Sequence, residues 1–103
     1  MQVVDLREVA AGLPLEWVSS EVGRVDGAGI RVLRMSGEPL PPEVHELPEA
    51  LLVLDGELLL ELAGRELPVR AGELFVVPAG TEHRVAAGSR GTLVLFEAGA
   101  AGS

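Results

Sequence analysis

Four residue types are missing from this 103-residue chain: cysteine, lysine, asparagine and tyrosine. Without cysteine there is no disulfide framework, no thiolate metal site and no redox motif. Without lysine the cations are eight scattered arginines, set against 16 carboxylates. A net charge of −8 excludes nucleic acid and anionic membranes as partners, since both are recognised by clustered basic residues. Three aromatics (Trp17, Phe75 and Phe96) are too few to stack a run of bases. Apolar runs are short as well. Leu51 to Leu54 and Leu58 to Leu60 fall far below the span of a bilayer. Met1 to Leu6 lacks both the basic and the apolar region of a signal peptide, so a cytoplasmic location is expected. Scarcity of thermolabile residues fits a thermostable protein, although arginine without lysine also follows from GC-rich coding.

What is present is punctuation. The length suits one domain. Residues 1–14 read as an N-terminal arm with a helical turn through Leu6 to Ala10, stopped by Gly12 and Pro14. Residues 15–98 read as a single β-domain, because Gly or Pro recurs at about the spacing of strands in an all-β sandwich or barrel. Residues 99–103 are expected to be a flexible tail. The expected strands are Glu16–Ser19, Ile30–Ser36, Glu43–Glu46, Ala50–Leu54, Glu57–Leu62, Leu74–Val77, His83–Val85 and Thr92–Glu97. Asp55-Gly56 reads as a hairpin turn of the type that needs positive φ, and Ala63-Gly64 as a second reversal.

Leu51-Leu52-Val53-Leu54, Phe75-Val76-Val77 and Leu93-Val94-Leu95-Phe96 are apolar on both strand faces. An antiparallel sheet in a small domain ordinarily keeps one face polar. A second copy of the chain is the expected cover, which makes a homodimer the expected assembly.

Chemistry concentrates around the two histidines, His45 and His83. Glu43 and His45 are two apart and would share a strand face. Glu49 follows the Pro48 bend, and His83 follows the tight turn Pro78-Ala79-Gly80. Two imidazoles and a carboxylate converging in a barrel would make a facial triad for a divalent ion, with positions open for a ligand. Their convergence is what the spacing leaves open.

The spacing resembles the two motifs of the cupin superfamily. The first, Gly-x5-His-x-His-x3,4-Glu-x6-Gly, is matched by Gly37, His45, Glu49 and Gly56, with Glu43 where the first His is expected. The second, Gly-x5-Pro-x-Gly-x2-His-x3-Asn, is matched by Gly72, Pro78, Gly80 and His83, with Ala87 in place of Asn. The short segment between them is that of small single-domain microbial cupins. The resemblance implies an all-β double-stranded β-helix, a jelly-roll barrel. It also implies a metal site at His45, Glu49 and His83, with Glu43 as fourth ligand or as a base, holding Mn, Fe, Zn or Ni. Small-molecule isomerase, epimerase and dioxygenase-type activities occur in the family. A metal-free ligand-binding or regulatory dimer is the alternative that the missing histidine suggests. A shifted register, with Pro42 and Val44 at the histidine positions, would turn His45 out of the barrel.

Other residues receive blander readings. Trp17 packs against the barrel or a partner, with a place in the pocket wall as the alternative. Arg31 and Arg34 are surface groups, with a contact to an anionic ligand as the alternative. Phe75, Val77, Leu93 and Leu95 belong to the core. Met35 and Phe96 belong to the core or the pocket mouth.

Overall fold

The computed structural model describes residues 2–99. Apart from Gly99, the expected tail lies outside them. One helix, α1 (Leu6–Gly12), precedes eight strands: β1 (Ser20–Val25), β2 (Ala28–Ser36), β3 (Leu40–Glu43), β4 (Glu49–Leu62), β5 (Arg65–Arg70), β6 (Leu74–Val77), β7 (His83–Val85) and β8 (Arg90–Ala98). All pairings are antiparallel. The sheet runs β1-β2-β8-β4-β7-β3, while β5 and β6 pair with β4 off that path. This is the expected all-β jelly roll, with β4 as its spine.

The spine corrects the hairpin read at Asp55-Gly56. Both halves belong to one strand of 14 residues, bent by a register shift between Val53 and Asp55 against β8. Before the shift, Leu51 and Val53 point into the core; after it, Leu58 and Leu60 do. An extra residue on one strand resets the alternation, so both halves bury leucine in one barrel. The positive φ of Gly56, which suggested a turn, serves a close crossing instead. A Cβ on Gly56 would lie 1.9 Å from the carbonyl oxygen of Arg90, and one on Gly91 would lie 2.0 Å from that of Asp55. The carboxylate of Asp55 then accepts from Thr92 N–H at 3.1 Å, pinning the bend.

Three further boundaries differ from the sequence reading. Glu16–Ser19 forms no regular strand, and the first strand begins at Ser20. The strand expected at Glu43–Glu46 is instead Leu40–Glu43. Arg65–Arg70 is a strand that the sequence reading omits; its hairpin with β4 turns at Ala63-Gly64, as expected.

The barrel interior is filled by Leu33, Met35, Leu51, Val53, Leu58 and Leu60 among others, the last two without exposed surface. Each such leucine contributes about 1.5–3 kcal/mol of burial. A second cluster forms outside the barrel, where Ala10 of α1 buries Val32 of β2 and Val94 of β8. The arm is therefore part of the cover for the doubly apolar strands. Asp5 caps its helix by accepting from Glu8 N–H. Arg34 donates to the carbonyls of Ala10 and Leu13 at 2.6 and 3.2 Å, and Arg7 pairs with Asp55 at 3.1 Å. Arg34 is thus a partly buried clamp on the arm, not a free surface group. Phe96 packs with this outer cluster, and Met35 lies in the inner core.

Candidate metal centre

Glu43 ends β3 and sits opposite His83 of β7 in the register of that pair. Glu49 opens β4, and His45 lies in the short connection between β3 and β4. That connection is held by a backbone hydrogen bond from Gly80 N–H to the His45 carbonyl at 2.8 Å. The Pro78-Ala79-Gly80 turn thereby supports one histidine and leads the chain to the other. His83 Nδ1 lies 3.0 Å from the Thr81 carbonyl oxygen. A carbonyl only accepts, so Nδ1 is the nitrogen that donates here and Nε2 is the one that faces inward.

Both inward nitrogens meet one carboxylate. His45 Nε2 is 3.6 Å and His83 Nε2 is 3.4 Å from the same Glu49 oxygen. Glu43 approaches His45 Nε2 at 3.2 Å. One ligand atom from each of Glu43, His45 and His83 also lies within 4.8 Å of the others. His45 therefore faces the cluster, as the first register requires and the shifted one does not. The side chains of His83 and Glu49 are 5% and 11% exposed, whereas those of His45 and Glu43 are 43% and 53% exposed. Burial raises the pKa of Glu49 above its ordinary value. His45 opposes that, Glu97 adds to it, His83 opposes it and Glu43 adds to it.

The cluster opens on a cavity of about 270 Å³ whose floor includes Leu33, Leu51 and Leu93. The barrel is therefore open beside His45 rather than filled there by side chains. Glu97 and Trp17 also lie in the wall. Glu97 has no motif to mark it, and is found only by counting the alternation of β8 outward from Leu93 and Leu95. For Trp17 both readings hold, since it packs on the core and forms part of the wall. Arg31 does not line the cavity; its guanidinium bonds to Ser19 Oγ at 2.8 Å and lies 3.6 Å from Glu21. The donor set of two imidazole nitrogens with carboxylates suits divalent ions of intermediate to hard character.

The Cupin domain family model matches residues 31–99, which includes both motifs and every member of the cluster. The chain belongs to the cupin family. Solved structures share the fold of this cupin along almost its whole length. A cupin-2 domain containing protein from Shewanella frigidimarina superposes with a TM-score of 0.85 at 18% identity, covering 93% of this chain and 94% of its own. A protein from Neisseria meningitidis gives 0.80 at 22% identity, covering 94% and 99%. A cupin superfamily protein from Desulfitobacterium hafniense gives 0.75 at 18% identity, covering 97% and 94%. None of the curated proteins matches the sequence.

Proposed function

We propose that this cupin holds a divalent metal ion on His45, Glu49 and His83, with Glu43 as fourth ligand or base, and acts on a small molecule admitted to the barrel. The observation that carries the proposal is the meeting of two imidazole nitrogens from different parts of the chain at one Glu49 oxygen, 3.6 and 3.4 Å away. A bound divalent ion supplies Lewis-acid activation of a carbonyl or hydroxyl oxygen. The chain's own residues supply the rest. Thr81 orients His83 and Glu49 is held within the barrel wall, while the more exposed Glu43 would take a proton from a ligand. Proton removal beside an activated carbonyl is the step that isomerases and epimerases share, which favours those classes over dioxygenation. The proposed working form is a cytoplasmic homodimer.

The exposure of Glu43, in place of a third imidazole, favours a second reading: a metal-free cupin that binds a small molecule without catalysis. Metal analysis separates the two. Protein purified without a nickel column is expected to carry about one equivalent of a divalent ion, and His83→Ala less than about a tenth. Wild-type protein that stays below a tenth after incubation with Mn, Fe, Zn and Ni would establish the second reading.

A further inference from the structure

The cavity changes character along its length. At one end stand the acids and imidazoles of the cluster, with Glu97 opposite Glu49 in the β4–β8 register. One step along the same strand faces that pair gives way to Leu51 opposite Leu95, and beyond them Leu93 lies opposite Leu33 of β2. The β3–β7 pair repeats the pattern: Glu43 faces His83 at the cluster, and Leu40 faces Val85 further along. Trp17 marks the far end, because its backbone N–H bonds to the carbonyl of Arg34, the residue after Leu33. Four residues (97 − 93) separate Glu97 from Leu93, roughly 13 Å along an antiparallel strand.

Few hydrogen-bonding groups reach the apolar end, and those are engaged. The Trp17 indole N–H donates to Ser36 Oγ at 2.8 Å, and the Ser19 hydroxyl accepts from Arg31 at 2.8 Å. Arg84 touches the cavity, but the alternation of β7 turns it to the outer face, where it pairs with Glu61 at 2.7 Å. Lysine, tyrosine and asparagine are absent from the chain and supply no substitute. Leu33, Leu51 and Leu93 are buried, whereas His45 and Glu43 are exposed. The cluster is therefore the mouth of the cavity, and the leucines are its depth.

We infer that the cavity takes a compact α-keto monocarboxylic acid with an apolar tail, its carbonyl and carboxylate at the His45–Glu49–His83 cluster and its tail running past Leu51 and Leu95 toward Trp17. This rests on the reading of the cluster as a divalent metal site, and deepens it. Adjacent carbonyl and carboxylate oxygens are hard donors that suit such an ion. No cation in the lining is free to take the carboxylate, so the head of the ligand depends on the ion. Each methylene of the tail leaves water for a leucine-lined wall and is worth about fourfold in affinity. A sugar or sugar phosphate would bury hydroxyls or a phosphate against the same leucines without partners. The volume, just under the roughly 300 Å³ where small-molecule pockets begin, selects a compact ligand.

The test titrates the full chain with pyruvate, α-ketobutyrate, α-ketocaproate and α-ketocaprylate, one head on a growing tail, with ribose and ribose phosphate as polar comparisons. Calorimetry gives the affinities, with metal content measured on each sample before and after chelation. Trp17 is the only tryptophan and tyrosine is absent, so indole emission reports on the far end of the cavity. In metal-replete protein, α-ketocaproate is expected to bind about sixtyfold more tightly than pyruvate, three methylenes at about fourfold each. Pyruvate should leave the emission unmoved, and the longer acids should shift it. Chelation should weaken every member of the series. Leu40→Gln is expected to weaken α-ketocaproate while leaving pyruvate unchanged, with a cooperative melt as the check on folding; if it does not fold, the wild-type series decides. In metal-replete protein, affinity independent of tail length, no binding of α-ketocaproate, tighter binding of either sugar, or affinities that chelation leaves unchanged would each overturn the inference. So would an emission change that does not grow with the tail, or a folded Leu40→Gln that weakens both acids equally. A tail-length gradient in a chain that takes up no metal would sink the metal reading alone. A metal-replete chain without the gradient would sink this inference alone.

Discussion

Glu49 is where stability and function pull apart. Its carboxylate is 11% exposed and faces two other acids of the cavity, so the folded chain binds a proton there more tightly than the unfolded chain does. A carboxyl with a raised folded pKa costs stability when ionised, and the cost is complete above that folded pKa. It is relieved as pH falls through the folded pKa toward the ordinary value of 4.5. In metal-free protein, Glu49→Gln is therefore expected to melt above wild type near neutral pH, with the gap closing on acidification. Every kcal/mol of relief moves the Tm of a domain this size by about 4–8 °C. Adding a divalent ion should reverse the order, because a ligand at one hundred times its Kd stabilises by about 2.7 kcal/mol and the variant has lost its central donor. Thermal scans across pH, with and without metal, check both halves; a gap independent of pH would defeat the argument. At this scale the sequence was generous with motif residues and silent on the rest. His45, Glu49 and His83 are marked by Gly and Pro at fixed offsets, since the turns that deliver them need those backbones. Glu97 and Trp17 depend on strand parity and on a left-handed backbone at φ 64°, neither of which leaves a local signal.

Among the elements, β4 shows how a correct local rule gives a wrong connection. Asp-Gly between leucine-rich runs is a sound hairpin signal, and Gly56 does adopt positive φ, at 81°. The chain nevertheless continues, because β8 runs alongside both halves and its Gly91 leaves room for the crossing. That partner lies 35 residues away in sequence (91 − 56), beyond the reach of any short window. β5 was missed for a related reason: Arg65-Glu66-Leu67-Pro68-Val69-Arg70 carries charges and a proline, and pairs with β4 alone. Proline is tolerated where the neighbouring edge needs no N–H. The crossing makes a sharp prediction. Gly91→Ala places a methyl 2.0 Å from the Asp55 carbonyl oxygen at a φ of 108°, so backbone must move. A loss of roughly 3 kcal/mol or more is expected. Gly64→Ala in the β4–β5 turn, where a Cβ meets nothing within 4 Å, separates φ strain from collision. Denaturant midpoints should place Gly91→Ala well below Gly64→Ala; equal losses would mean that the crossing adds nothing.

For the whole molecule, the surplus of apolar residues has two destinations. One is internal: α1 covers Val32 and Val94, which a bare barrel would leave to a partner. The other is still open to solvent. Leu74 and Val76, on the same face of β6, are 56% and 52% exposed, and β6 pairs only with β4. An apolar strand with a free edge is a template for another chain, and a second copy of the chain is the simplest cover. Because the arm already takes part of the load, the association should be concentrated on β6. Light scattering coupled to gel filtration is expected to give twice the monomer mass at micromolar concentration. Leu74→Glu combined with Val76→Glu should give the monomer mass with an unchanged circular dichroism spectrum, since both side chains lie outside the inner core. A wild-type monomer under those conditions would remove the homodimer altogether. A double variant that stays dimeric would move the interface away from β6. The site provides an independent reading, because Glu49 pairs with Val77 at the end of the same strand. Dimerisation through β6 would brace the start of β4, and with it Glu49, so the monomeric variant should bind metal more weakly than wild type while keeping its stoichiometry.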